Sequence, residues 1–208
     1  MPRPFSLYTA VFLTNMAILI TEVAGGRLLA PYLGTSAHVW AGLIAIILGA
    51  MALGLHFGGQ YFSNRVSQER IALLIALGAG FGVISWSMRD IIPNSIASPD
   101  IPLTLSALII GALLFLPTVS VLSAISPGIA QLLIKDAKDT SKIVGTLSAV
   151  GTVGSIAGAV LTGVVLVPSF GLHTILLVTP LTLFVLALIL APQHVLRIGA
   201  CLIIASIV

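Results

Sequence analysis

Charge is what this sequence has least of. Of 208 residues, nine are Lys or Arg and six are Asp or Glu, 7% in all, against about 25% in an average soluble domain. So few charges cannot cover a water-facing surface, which excludes an ordinary soluble domain. The net charge of +3 is a small excess that falls in loops, so nothing points to a nucleic-acid surface. The single cysteine, Cys201, excludes an internal disulfide, and no Cys/His cluster suggests a metal site. There is no G-x-S-x-G, no H-E-x-x-H and no glycine-rich nucleotide turn after a strand. The six acidic residues, mostly in loops, form no acid–base constellation. No cofactor and no catalytic residue is read from the sequence.

Hydrophobic residues make up 58% of the chain, so its solvent is read as lipid. A bilayer core about 30 Å thick takes about 20 helical residues to cross. Six runs reach that length: Leu7–Leu29, His38–Phe62, Ile71–Met88, Leu103–Ile134, Ile143–Val167 and His173–Leu190. The fourth is long for one straight crossing and is interrupted by Pro117 and Pro127. A last run, Val195–Val208, reads as a partial seventh helix. The prediction is an all-α, polytopic transmembrane helix bundle forming a single domain over residues 1–208, multi-pass in the plasma membrane. Glu22 and Arg27 stand where a small-residue cleavage site would be needed, so the first run is read as a retained helix. Between Arg89 and Pro102, Pro93, Asn94, Pro99 and Pro102 argue against regular structure.

Basic residues set the expected orientation. Arg3, the Arg65–Arg70 segment, Lys135, Lys138 and Lys142, and Arg197 fall on one side of the bundle if the N-terminus is cytoplasmic. Only Arg27 and Arg89 fall opposite. The first and fourth runs each end near a proline, Pro31 and Pro127, and each is followed by a glycine-rich run. With three spans per half, the halves would have opposite orientation, a 3+3 inverted repeat of the sort common in transporters. Small-residue helices are also general packing devices, so the repeat stays one of two readings. Gly54/Gly58 and Gly154/Gly158 are small-xxx-small pairs that let helix backbones approach closely. Trp40 and Trp86 are expected at the membrane interfaces.

Few side chains inside the runs can carry chemistry. Glu22 is the most informative, because a carboxylate within a span costs about 3 kcal/mol on insertion scales and is a functional candidate by default. Asn15 and Gly26 lie on its helix face by spacing. The competing reading is a structural Glu22–Arg27 pair, made possible if Gly25-Gly26 breaks the helix. Arg27 could equally snorkel to headgroups. His38 suits an interfacial hydrogen bond, and His56, between Gly54 and Gly58, is a candidate for a polar path. In the fourth run Ser120, Ser123 and Ser126 flank two prolines, where hydroxyls can satisfy freed backbone groups or line a path. The candidate binding set is Glu22, Asn15, Arg27, His56, Ser123 and Ser126.

The run Glu22-x-x-x-x-Arg27-x-x-Ala30-Pro31-Tyr32-x-Gly34-Thr35-Ser36-x-x-x-Trp40 resembles the membrane half of transmembrane spermidine-synthase-like proteins. Gly54-x-x-x-Gly58-Gly59, Ser126-Pro127, Thr152-Val153-Gly154-Ser155-Ile156-Ala157-Gly158 and Leu166-Val167-Pro168 fit the same pattern. The resemblance implies a major-facilitator-like bundle, usually joined in that family to a cytosolic aminopropyltransferase domain of Rossmann-like fold. No counterpart of that domain lies in this sequence, and no acidic residue follows Asp139. Either the membrane half works without a synthase domain, or another chain supplies one, or the chain is a fragment. Two functions follow: a transporter-like module for polyamines or related cationic amines, which homodimerisation could complete, or a membrane anchor for a cytosolic aminopropyltransferase-like partner.

Overall fold

The computed structural model describes residues 4–63, 66–98, 100–134 and 136–191. Within them every element is helical, and six helical stretches are long and apolar enough to cross a membrane. The chain is therefore an all-α, multi-span membrane protein. The proposed seventh run, Val195–Val208, lies outside the described residues, as do Arg3, Arg65, Lys135 and Arg197 of the basic groups.

Helix α1 spans Pro4–Leu33, about 45 Å at 1.5 Å per residue. Pro31 sits in its last turn, and Gly34, with φ 79°, takes the left-handed conformation that stops it. The Gly34 N–H donates to the Ala30 carbonyl at 2.9 Å, closing the final turn. α2, Ala37–Phe62, begins at extended Ser36, whose carbonyl accepts from Val39 and Trp40. α3, Gln68–Met88, is capped by Ser67, whose hydroxyl accepts from the Arg70 N–H at 3.2 Å.

The segment after α3 departs from the expectation of irregular structure. A short helix, α4, runs Ile91–Ile96 with Pro93 inside it. Pro93 occupies the third helical position, where the N–H it lacks would have had no intrahelical acceptor. Proline in the first turn starts a helix as readily as it ends one.

The fourth run is broken twice, as its prolines predict, into α5 (Leu103–Leu114), α6 (Leu116–Ser123) and α7 (Ile125–Leu133). The breaks fall at Phe115 and Ala124, two and three residues before Pro117 and Pro127. That offset is physical: a proline removes the bond to the carbonyl four residues back, so disruption lies N-terminal to the ring. α8, Thr140–Leu161, passes through a π-helical turn at Thr162–Leu166 into α9, Val167–Phe170, with Pro168 beyond the turn. Gly171, at φ 73° and ψ 160°, ends it. α10, Leu172–Leu190, carries Pro180 internally.

The helices pair in a definite scheme. α8 packs along α1, and α2 packs along α5, α6 and α7; α3 crosses α10, α1 meets α10, and α3 meets α6. Exchanging α1 with α5–α7, α2 with α8 and α3 with α10 turns each of these pairings into another of them or into itself. α1–α2 becomes α7–α8, which also pack.

Glycine makes the close crossings possible. A Cβ on Gly58 would lie 2.6 Å from the Ala124 Cα, and one on Gly158 would lie 3.1 Å from the Met16 Cα. Gly154 meets the Phe12 backbone, and Gly54 meets the Ser120 carbonyl. Both small-xxx-small pairs thus lie at close backbone crossings. Apart from a few buried Ser and Thr residues such as Thr14 and Ser106, apolar side chains fill the rest of the interior, with Phe62, Phe115, Leu43, Ile47, Ile71 and Ile110 fully buried. In lipid this packing is dispersion and shape rather than escape from water.

Candidate functional site

Between α1, α2, α7 and α8 lies a cavity of about 650 Å³, within the range that holds small-molecule ligands. Its walls are mostly apolar, supplied by residues such as Met51, Leu55, Pro127 and Leu147. Its polar groups come from three spans: Asn15 of α1; Ser123, Ser126 and Gln131 of the broken fourth span; Ser148, Thr152 and Ser155 of α8. The cavity reaches Ile134 and Val144, toward the bundle end that carries Lys138 and Lys142.

Local bonding fixes which of these groups are free to serve a ligand. The Asn15 Nδ2 donates to the Val11 carbonyl at 2.9 Å, and its side chain lies over Gly151, where any Cβ would crowd it. The Asn15 carbonyl oxygen is then left toward the cavity as an acceptor. The Ser123 hydroxyl donates to Val119 O at 2.8 Å, and Thr152 donates to Ser148 O at 2.8 Å. Each has spent its proton on its own helix and keeps lone pairs for an incoming donor. Gln131 donates to Ser63 O at 3.1 Å, tying the end of α7 to the end of α2. The cavity therefore offers acceptors at Asn15, Ser123 and Thr152, with hydroxyls at Ser126, Ser148 and Ser155 that can donate or accept, in apolar walls; N–H donors beside methylene or methyl groups suit it.

Three of the six candidate residues, Asn15, Ser123 and Ser126, meet in this cavity. Glu22 does not line it. It is half-buried on α1 about two turns further along and makes no hydrogen bond or ion pair among the described residues. Arg27 is exposed. The Glu22–Arg27 pair does not form, because α1 continues through Gly25 and Gly26 without a break. Those glycines make room for aromatic rings instead: a Cβ on Gly25 would lie 2.9 Å from the Phe115 ring, and one on Gly26 2.7 Å from Cζ3 of Trp40. His56 is exposed on the outer face of α2, hydrogen-bonded with Gln60 at 3.1 Å and edge-on to Phe57.

The serine and threonine stripe of α8 went unnoticed in the sequence. Its signal was present: Ser148, Thr152 and Ser155 recur at helical spacing. The glycines of the same helix carry an overlying packing signal. A second polar cluster, also unforeseen, joins α1, α3, α4 and α10 at the opposite end. The Arg89 Nε donates to His173 Nδ1 at 2.6 Å and its guanidinium lies 4.8 Å from the Trp86 ring centroid. Arg89 also pairs with Asp90 at 3.2 Å, and Trp86 Nε1 donates to the His173 carbonyl at 3.2 Å. Tyr32 donates to Asp90 at 3.4 Å. These groups satisfy one another, so the cluster reads as a clasp. Among the described residues no three His, Cys, Asp or Glu side chains gather as a metal site.

Fold and cavity define a multi-span helical membrane protein. Compared with protein-family models, with curated proteins and with solved structures, the chain matches none.

Proposed function

We propose that the chain is a transporter-like module for a small solute, and that the solute is a polyamine or related cationic amine. The observation that carries the reading is the cavity of about 650 Å³, with Asn15, Ser123, Ser126 and Thr152 converging from three spans. An aliphatic amine would set its methylenes against the apolar walls and donate its N–H groups to these oxygens. The unpaired carboxylate of Glu22, on the same helix as Asn15, supports a cation rather than an anion. The resemblance to the membrane half of spermidine-synthase-like proteins points to the same solute class. The broken fourth span supports the reading, since discontinuous helices typically form the substrate sites of transporters. A homodimer in the plasma membrane is the expected assembly.

A second reading has one observation in its favour. Lys138 and Lys142 are exposed beside the cavity's open end, and a cytosolic aminopropyltransferase-like partner could dock there, making the bundle an anchor. The two readings separate in proteoliposomes. Saturable uptake of labelled putrescine or spermidine that Glu22→Gln abolishes supports transport. No uptake by folded protein, together with partner capture that charge reversal at Lys138 and Lys142 abolishes, supports the anchor.

A further inference from the structure

Two helix crossings set a residue correspondence between the halves of the bundle. Gly54 and Gly58 of α2 lie against Ser120 and Ala124; Gly154 and Gly158 of α8 lie against Phe12 and Met16 of α1. Overlaying one crossing on the other equates residues 100 apart in α2 and α8, and residues 108 apart in α1 and the fourth span. Backbone contact alone sets those pairs. Yet the same offsets equate Asn15 with Ser123, Met51 with Gly151 and Leu55 with Ser155, and all six line the cavity. The inner end of the cavity therefore sits on the pseudo-twofold axis that relates the halves.

Its mouth does not share that symmetry. Ala130, Ile134 and Ser148 line the open end. Their counterparts by the same offsets are Glu22, Gly26 and Leu48, at the opposite end of the bundle. There the way is shut: the Trp40 ring seats on Gly26 and the Phe115 ring on Gly25. A bundle of two related halves that is open at one end and closed at the other has a second arrangement of similar packing, in which the halves exchange conformations.

We propose that in this second arrangement Glu22 lines the opposite mouth, at the place Ala130 holds in the present one, and there binds the ammonium group of the solute. The inference rests on the transport reading and adds to it the residue that selects a cation and the side from which it does so. The second mouth would then carry a carboxylate in its wall, whereas no Asp or Glu is among the described residues that line the present one. It also accounts for Glu22 lying half-buried without a partner while the Trp40 end is closed. Trp40 is the plug: its removal shifts the bundle toward the arrangement that opens Glu22.

The test uses Cys201→Ser protein with one introduced cysteine, Glu22→Cys or Ser148→Cys, in sealed vesicles treated with a membrane-impermeant thiol reagent from either face. In the parent, Ser148→Cys reacts from the face bearing Lys138 and Lys142, and Glu22→Cys reacts slowly from both. Adding Trp40→Ala should speed Glu22→Cys at least tenfold, from the opposite face only, and slow Ser148→Cys by a comparable factor. Acceleration at both cysteines, reaction of both from one face, or no change at either overturns the proposal. If Trp40→Ala does not fold, Phe115→Ala carries the same expectation. Labelling needs no uptake: reciprocal labelling without amine uptake would overturn the solute while leaving the two-mouthed path, and uptake without reciprocity would overturn Glu22's role alone.

Discussion

Substituting Gly158 by alanine adds one methyl group where α8 crosses α1. The new Cβ would lie 3.1 Å from the Met16 Cα and carbonyl carbon, and closer still to its carbonyl oxygen. The neighbour is backbone, so no rotamer change relieves the overlap, and the two helices must separate. Overpacking of this sort costs about 1–3 kcal/mol. A helical Gly→Ala change otherwise gains about 0.5–1 kcal/mol from reduced chain entropy. Gly163 is the internal control, since nothing lies within 4 Å of its Cβ position. Gly163→Ala should therefore be neutral or slightly stabilising, and Gly158→Ala destabilising by about 1–2 kcal/mol net. Gly154→Ala, against the Phe12 carbonyl, should resemble Gly158→Ala. Reversible unfolding in mixed micelles, followed by far-ultraviolet circular dichroism, measures the difference. Equal midpoints for Gly158→Ala and Gly163→Ala would refute the claim that the glycine stripe holds α8 against α1.

Gly171→Ala tests backbone strain with no steric term, because φ 73° and ψ 160° suit glycine alone and nothing lies within 4 Å; a loss of about 1–3 kcal/mol is expected in the same unfolding assay. Arg89→Ala should cost about 1–2 kcal/mol by removing donors to His173 and the Trp86 carbonyl, and should shift Trp86 fluorescence, whereas Asp90→Ala, half exposed, should cost less than about 1 kcal/mol. His56→Ala should leave stability within about 0.5 kcal/mol and solute uptake unchanged, since His56 faces outward from α2.

Much of the fold was legible because hydropathy and length are whole-segment properties. Five of the six spans appear within about six residues of their expected ends; the fourth run is helical from Leu103, but the stretch long enough to cross is Leu116–Leu133, and the breaks fall where the missing hydrogen bonds require. Local signals were less reliable where one residue type serves opposite ends of a helix. Pro93, read as a breaker, instead lies in the first turn of α4. Gly25-Gly26, weighed as a helix break, is a pair of seats for Phe115 and Trp40, and only tertiary contact distinguishes those uses. The site was legible in part: Asn15, Ser123 and Ser126 stand out as polar residues in apolar runs. Ser148, Thr152 and Ser155 were hidden among the glycines of α8, whose packing role is equally real. The joining of the Tyr32–Asp90 and Arg89–His173 groups depends on which helix ends meet, which no local pattern encodes.

If the cavity between α1, α2, α7 and α8 conducts an amine, a bulky side chain placed in it should block uptake. The most direct measurement is uptake of labelled spermidine into proteoliposomes, comparing wild type with Thr152→Trp, which fills the cavity from α8 with an indole. Saturable uptake is expected for wild type, with at least a tenfold loss in a Thr152→Trp protein that unfolds at the wild-type midpoint. Undiminished uptake in that variant, or none by folded wild type, would contradict amine conduction through the cavity.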